Sequence, residues 1–206
     1  MSKELLKRMW RIYSSVGAAE ETDRNKFEAN AFIIDGCKVI WQDFLGGSTE
    51  EELSNLVHTL IHNIANLPNH LKQWAKRNGK DETRLKKVLD QSIELQIIID
   101  LSNNDKHGYP PRAGGKSKKS PQLVSVNRVM ELKTQAKKNS NVGMTLGTDG
   151  KPNIYGDGSG KVIINGDVID KEGNRIGNLY EIERKAVETL EQIMVDYELL
   201  TEDNRL

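Results

Sequence analysis

Apolar residues recur along the first half of the chain at spacings of three and four, and along much of the second half in short alternating runs. Leu5, Leu6, Met9, Ile12, Tyr13 and Val16 form one stripe, which predicts an amphipathic helix from about Lys3 to Val16, ended by Gly17. Ile33, Cys37, Ile40 and Phe44 then fall at i, i+4, i+7 and i+11, the pattern of a buried helix face. Asp35-Gly36, lying between two apolar runs, supports the rival reading of a hairpin. Gly46-Gly47 breaks the chain, and Ser48 with Glu51 forms a capping box for the next helix. Leu53, Leu56, Val57, Leu60, Ile61 and Ile64 make its buried side until Pro68, where a missing backbone donor predicts a kink or restart before Asn78-Gly79.

From Asp81 the residues Leu85, Leu89, Ile93, Ile97 and Leu101 form an i, i+4 ladder, which predicts one helix, the most buried of the chain. Tyr109 precedes Pro110, so that helix ends near Gly108. Pro110 to Pro121 reads as a mobile basic loop. Beyond it, Leu123 to Val126, Val129 to Thr134, Val142 to Leu146, Asn153 to Tyr155, Lys161 to Ile164 and Asp167 to Asp170 are short strand patterns. Turn signals separate several of them, at Asp149-Gly150, Gly156-Asp157-Gly158, Asn165-Gly166 and Glu172-Gly173-Asn174. A last helix is capped by Asn178 with Glu181, and Leu179, Ile182, Ala186, Leu190, Ile193 and Tyr197 form its apolar face. The expected class is α+β: a helical bundle over 1–109, a basic loop over 110–121, an antiparallel β-meander over 122–177, and a closing helix over 178–206 that packs on the rest.

The chain has 206 residues, enough for about one domain with a real core, and 36% apolar against 29% charged residues describes a chain that folds. Its formal net charge of zero conceals a separation: Lys106 to Lys138 carries nine basic residues against one acid, Glu131, leaving a net charge of −8 on the remainder. The single cysteine, Cys37, has apolar neighbours and reads as a buried thiol in a reducing compartment. The first residues lack an uninterrupted apolar stretch and no run reaches the length of a membrane span, so the expected location is the cytoplasm, with no membrane partner.

Gln96, Asp100, Asn103 or Asn104, and His107 fall on one helical stripe beside the apolar ladder. Such a row either satisfies the end of the helix or forms a site. The run Asn103-Asn104-Asp105-Lys106-His107-Gly108-Tyr109 resembles the signature of HEPN-type proteins, all-helical domains in which an arginine and a following polar residue precede a histidine. Asn103 matches the polar residue, His107 the histidine and Tyr109 a tyrosine found in one toxin branch; Ser102 stands at the arginine position. The resemblance implies metal-independent endoribonuclease chemistry at a homodimer interface, in bacterial defence or as a toxin. His107 would assist the ribose 2′-hydroxyl, and Lys106 or Arg112 would supply the cation at the phosphate. A degenerate RNA binder is its non-catalytic form.

The basic segment supplies candidate nucleic-acid contacts at Arg112, Lys116, Lys118, Lys119 and Arg128, since phosphate neutralisation provides most non-specific affinity. The same segment also suits an acidic protein partner, which would make the chain a non-catalytic interaction module. His58 and His62 at i, i+4 have the spacing of a metal pair, yet Thr59 stands where the zincin pattern needs glutamate. They read as a packed or surface pair, and neither a metal nor a cofactor is expected. Gly156 to Gly160 lacks the alternating acids of a calcium loop and reads as a turn.

Overall fold

The fold is that of a computed structural model, which describes residues 2–21, 29–34, 37–42, 44, 47–108, 112–147 and 151–201, with the backbone alone at 29–32, 34, 37–42 and 112. It is α+β, with five helices and antiparallel strands among the described residues. Helix α1 (Ser2–Ala19) passes through Gly17 and leads directly into the two-residue strand β1 (Glu20–Glu21). One glycine in the last turn costs little there, because Leu5, Met9, Ile12 and Tyr13 already bury the helix's apolar side. Lys161 then holds β1 in place, donating to Glu20 Oε1 at 2.5 Å and to Tyr180 Oη at 2.9 Å.

The segment expected to be helical around Ile33 to Phe44 is instead a hairpin of β2 (Ala29–Ile34) and β3 (Cys37–Gln42), paired from Ala29↔Gln42 to Ile34↔Cys37. The runs Phe32-Ile33-Ile34 and Val39-Ile40-Trp41 are β-branched and aromatic, and two residues between paired strands suit a tight turn better than a helix. Asp35 and Gly36, Gly46, and the Cys37 side chain lie outside the described residues.

Helix α2 (Glu50–Arg77) starts one residue later than expected, on a capping box of Thr49 and Glu52. Glu52 N–H donates to Thr49 Oγ1 at 3.2 Å, and Thr49 N–H donates to Glu52 Oε2 at 3.0 Å. The β-branched threonine takes the extended N-cap conformation (φ −85, ψ 162) and avoids the rotamer loss it would suffer inside the helix. Pro68 neither ends nor restarts α2: it is buried, as are Ile64 and Leu71 one turn before and after it, and that burial outweighs the lost donor.

The expected single helix from Asp81 is two, α3 (Glu82–Gln91) and α4 (Ile93–His107). Ser92 separates them, closing α3 through its N–H to Val88 O and capping α4 by accepting from Leu95 N–H. Gln96 donates to Leu89 O and Asp90 O, and so satisfies the carbonyls that the break exposes. The ladder is therefore rephased: Ile93 is exposed, and α4 buries Leu95, Ile97, Ile98 and Leu101. Gly108, left-handed at φ 68, ends α4 where the sequence places its end.

The strands after the basic loop are antiparallel, as expected, but two of them are longer than the short runs predict. β4 (Gln122–Lys133) pairs with β7 (Ser159–Ile169), whose other edge takes β1 and β8 (Arg175–Asn178). Asn165-Gly166 lies within β7 and is not a turn: the ladder there absorbs a bulge between Val124 and Asn127, where Ser125 has φ 55. Strands β5 (Val142–Leu146) and β6 (Pro152–Gly156) form a separate ribbon inserted between β4 and β7; Asp149-Gly150 lies outside the described residues. Helix α5 (Leu179–Asp196) starts at the Asn178 cap, and Leu179, Ile182, Ala186, Leu190 and Ile193 are buried as expected. Its core contacts join the helices to Ile164 and Val168 of β7. Among the described residues no helix is long and apolar enough to cross a membrane.

Candidate nucleic-acid interface

From Arg112 onward the basic loop is not a free coil but is folded around one buried carboxylate. Asp100, 1% exposed on α4, accepts Lys116 N–H at 2.9 Å on Oδ1, and Ser117 N–H at 2.8 Å and Ser117 Oγ–H at 2.7 Å on Oδ2. Lys119 N–H reaches Ser117 Oγ at 3.3 Å, and Asn104 Nδ2–H donates to Pro121 O at 3.3 Å. Burying a carboxylate is costly unless hydrogen bonds satisfy it, and here the loop backbone supplies them. The wrap is tight enough to require Gly115: at φ 70, a Cβ there would lie 2.5 Å from the Asp100 carboxyl. Ala113, Lys118 and Ser120 also take positive φ, so the loop holds a specific shape that its contacts must maintain.

That shape displays Lys116, Lys118 and Lys119 as exposed side chains while Ser117 and Ser120 are buried beneath them. Among the described residues none of these three lysines makes an ion pair. Lys118, Lys119 and Lys171 line a groove of about 730 Å³ together with Ala113, Gly114, Ser120 and Ile176. Asp170 and Glu172 line the same groove, and Lys171 pairs with Glu172 at 3.3 Å. Arg128 is half-buried on β4. Arg112 lies in a short 3-10 turn, Arg112–Gly114, and its side chain is outside the described residues.

Of the residues matched to the HEPN signature, His107 and Lys106 are exposed in the last turn of α4, Asn103 is half-buried one turn earlier, and Tyr109 lies outside the described residues. Helical spacing puts Asn103 and His107 on the Asp100 side of α4, the side the loop covers, while Lys106 is turned away from it.

The opposite side of α4 carries a cluster that the sequence marks only as a histidine pair. His62 Nδ1 lies 2.7 Å from Ser102 Oγ, and His62 Nε2 lies 2.7 Å from Asp105 Oδ2. His58 Nδ1 stands 3.3 Å from Asp105 Oδ1, off the line of a hydrogen bond. With its proton on Nε2, the His62 ring donates to Asp105 and accepts from the Ser102 hydroxyl, so both nitrogens are used within the protein. Ser102 is 1% exposed in the middle of a helix, which leaves no approach for a substrate to its oxygen. The cluster ties α2 to α4. No group of three or more metal-ligating side chains placed to hold an ion occurs among the described residues. Its signal in the sequence is the coincidence of His58 and His62 at i, i+4 with Ser102 and Asp105 at i, i+3.

Compared with protein-family models, curated proteins and solved structures, the chain matches none of them.

Proposed function

We propose that the protein binds RNA through the Asp100-clamped loop. The observation that carries this reading is the set of three exposed lysines without ion pairs on a backbone fixed in shape from within. Fixing the loop before binding removes part of the ordering cost that a mobile basic segment would incur. An acidic body around a +8 segment also keeps the chain's overall charge neutral while concentrating its attraction for phosphates in one place.

The test is salt dependence. Each phosphate contact to single-stranded RNA contributes about −0.7 to the slope of log K against log salt, so Lys116→Ala, Lys118→Ala and Lys119→Ala together should reduce the slope by about 2. Fluorescence anisotropy with a labelled single-stranded RNA at several salt concentrations measures it. A triple variant that binds with the wild-type slope would remove the loop from the interface.

His107 supports a second reading, cleavage, because its exposed imidazole lies on the loop side of α4 and imidazole carries protons near neutral pH. Without added metal, wild type should then leave cyclic phosphate ends on mixed RNA, and His107→Ala should bind but not cut. Absence of cut ends with the wild type would leave binding alone.

A further inference from the structure

We infer that the β5–β6 ribbon is a second contact for the same ligand, with Tyr155 as the stacking platform for one base of a single-stranded nucleic acid; this rests on the RNA-binding reading above. Tyr155 is 57% exposed. In the ribbon register it stands opposite Gly143, and a Cβ at Gly143 would collide with the Tyr155 ring. The ring therefore lies over the glycine backbone, supported on one side and open on the other. An unpaired base offers a complementary π face, whereas a duplex keeps its faces stacked on neighbouring pairs.

The ribbon is also held as a unit. Asp157 O accepts from the Gln135 side chain, Asp157 Oδ1 accepts Ser140 Oγ–H at 2.8 Å and Asn141 N–H at 2.9 Å, and Lys137 pairs with Asp157 Oδ2 at 2.7 Å. Ile154 fits beside Gly160 and Leu132, seating the ribbon on the ends of β4 and β7. Lys133 at the end of β4 and Lys138 in the loop leading into β5 are exposed and without ion pairs among the described residues. Single-strand binders combine cations, which attract the backbone, with open aromatic faces, which stack bases with little regard to sequence.

Strand β4 connects the two contacts, running from the end of the clamped loop at Gln122 to the ribbon at Lys133. At about 3.3 Å per residue it spans about 36 Å. A 12-nucleotide strand reaches that far even at the duplex rise of about 3.4 Å per nucleotide.

The experiment measures the affinity of a labelled 12-nucleotide oligouridylate and of a 12-base-pair RNA duplex for the full chain and its variants. Tyr155→Ala should weaken oligouridylate binding about fivefold or more without changing the salt slope, and leave duplex binding unchanged. Tyr155→Phe and Tyr155→Trp keep a ring over Gly143 and should bind as the wild type does, which separates stacking from disturbance of the ribbon. A Tyr155→Ala protein within twofold of wild type overturns the inference while the lysine variant still tests the loop. A phenylalanine variant as weak as the alanine one overturns it too, since the hydroxyl rather than the ring would then be the contact. Failure of the wild type to bind either RNA overturns this inference and the RNA-binding reading together.

Discussion

Asp100→Ala should destabilise the folded chain by about 3 kcal/mol and release the basic loop. Three donors, two backbone N–H groups and the Ser117 hydroxyl, lose their acceptor in a buried place. Hydrogen bonds to a charged group contribute about 1.5–3 kcal/mol each, but the loop recovers part of that by opening to water. Asp100→Asn should recover only part of the loss, since its amide oxygen can still accept from Ser117 while its NH2 faces the Lys116 N–H, donor to donor. Urea unfolding measures the loss, and limited trypsin digestion reads the loop directly: the wild type should resist cleavage after Lys116, Lys118 and Lys119, where the variant is cut first. RNA affinity should fall while the salt slope stays close to wild type, because the cations remain and only their placement is lost. That combination distinguishes Asp100→Ala from removal of the lysines. An unchanged urea midpoint together with unchanged trypsin resistance would show that something other than Asp100 shapes the loop.

Much of the helical part was legible because its signals are local. Asn178 and Glu181 sit three residues apart at the start of α5, and the buried stripe that follows has a single helical phase. Gly108 marks the end of α4 for the same reason, a backbone conformation that glycine adopts without strain. The misreadings come from patterns that satisfy two periods at once. Ile33, Cys37, Ile40 and Phe44 fit a helix, yet the runs around them are β-branched and aromatic, and pairing across Asp35-Gly36 decided between the two. The ladder from Leu85 to Leu101 crosses Ser92 without any loss of spacing, while a side-chain cap and Gln96 make the break inexpensive. Strand β1 is two residues long and exists only because β7 is there to receive it.

The candidate site was half legible on the same grounds. The polar stripe through Asp100, Asn104 and His107 stands out by helical spacing, but two of the three donors to Asp100 are backbone groups 16 and 17 residues away, and a backbone N–H carries no residue signature. A composition of glycine, serine and lysine reads as mobile; only the buried carboxylate turns it into a fixed turn. The His62 network joins residues 40 and 43 positions apart on two helices, so its members are visible in the sequence but their meeting is not.

Glu183 should make the protein lose stability as pH rises from about 4.5 to about 8. The residue lies on the buried side of α5, with 6% of its surface exposed and Oε1 without a hydrogen-bond partner. Burial pushes its carboxyl up to about 8 from an ordinary value of 4.5. Below the ordinary value both folded and unfolded chains are protonated at this position, and the native state suffers no penalty. Between the two values the unfolded chain releases the proton while the folded chain keeps it, so ionisation favours unfolding by about 1.4 kcal/mol per pH unit. Above about 8 the effect is complete, at about 5 kcal/mol in total. Asp81, Asp157 and Asp170 act in the opposite sense: hydrogen bonds, led by those from Thr83, Lys137 and Asn174 respectively, hold their carboxyls below the ordinary 3.8, and their contribution is lost only in acid. Urea unfolding of wild type and Glu183→Gln across pH 4 to 9 isolates the buried group, because every other titration is common to both. The two proteins should be nearly equal at the acid end, and the glutamine variant should be the more stable by several kcal/mol at the alkaline end. Parallel curves would mean that Glu183 ionises freely inside the fold. The gain for glutamine has a direct reading: a neutral side chain of the same shape serves the native packing at least as well, so a carboxylate there costs stability at neutral pH.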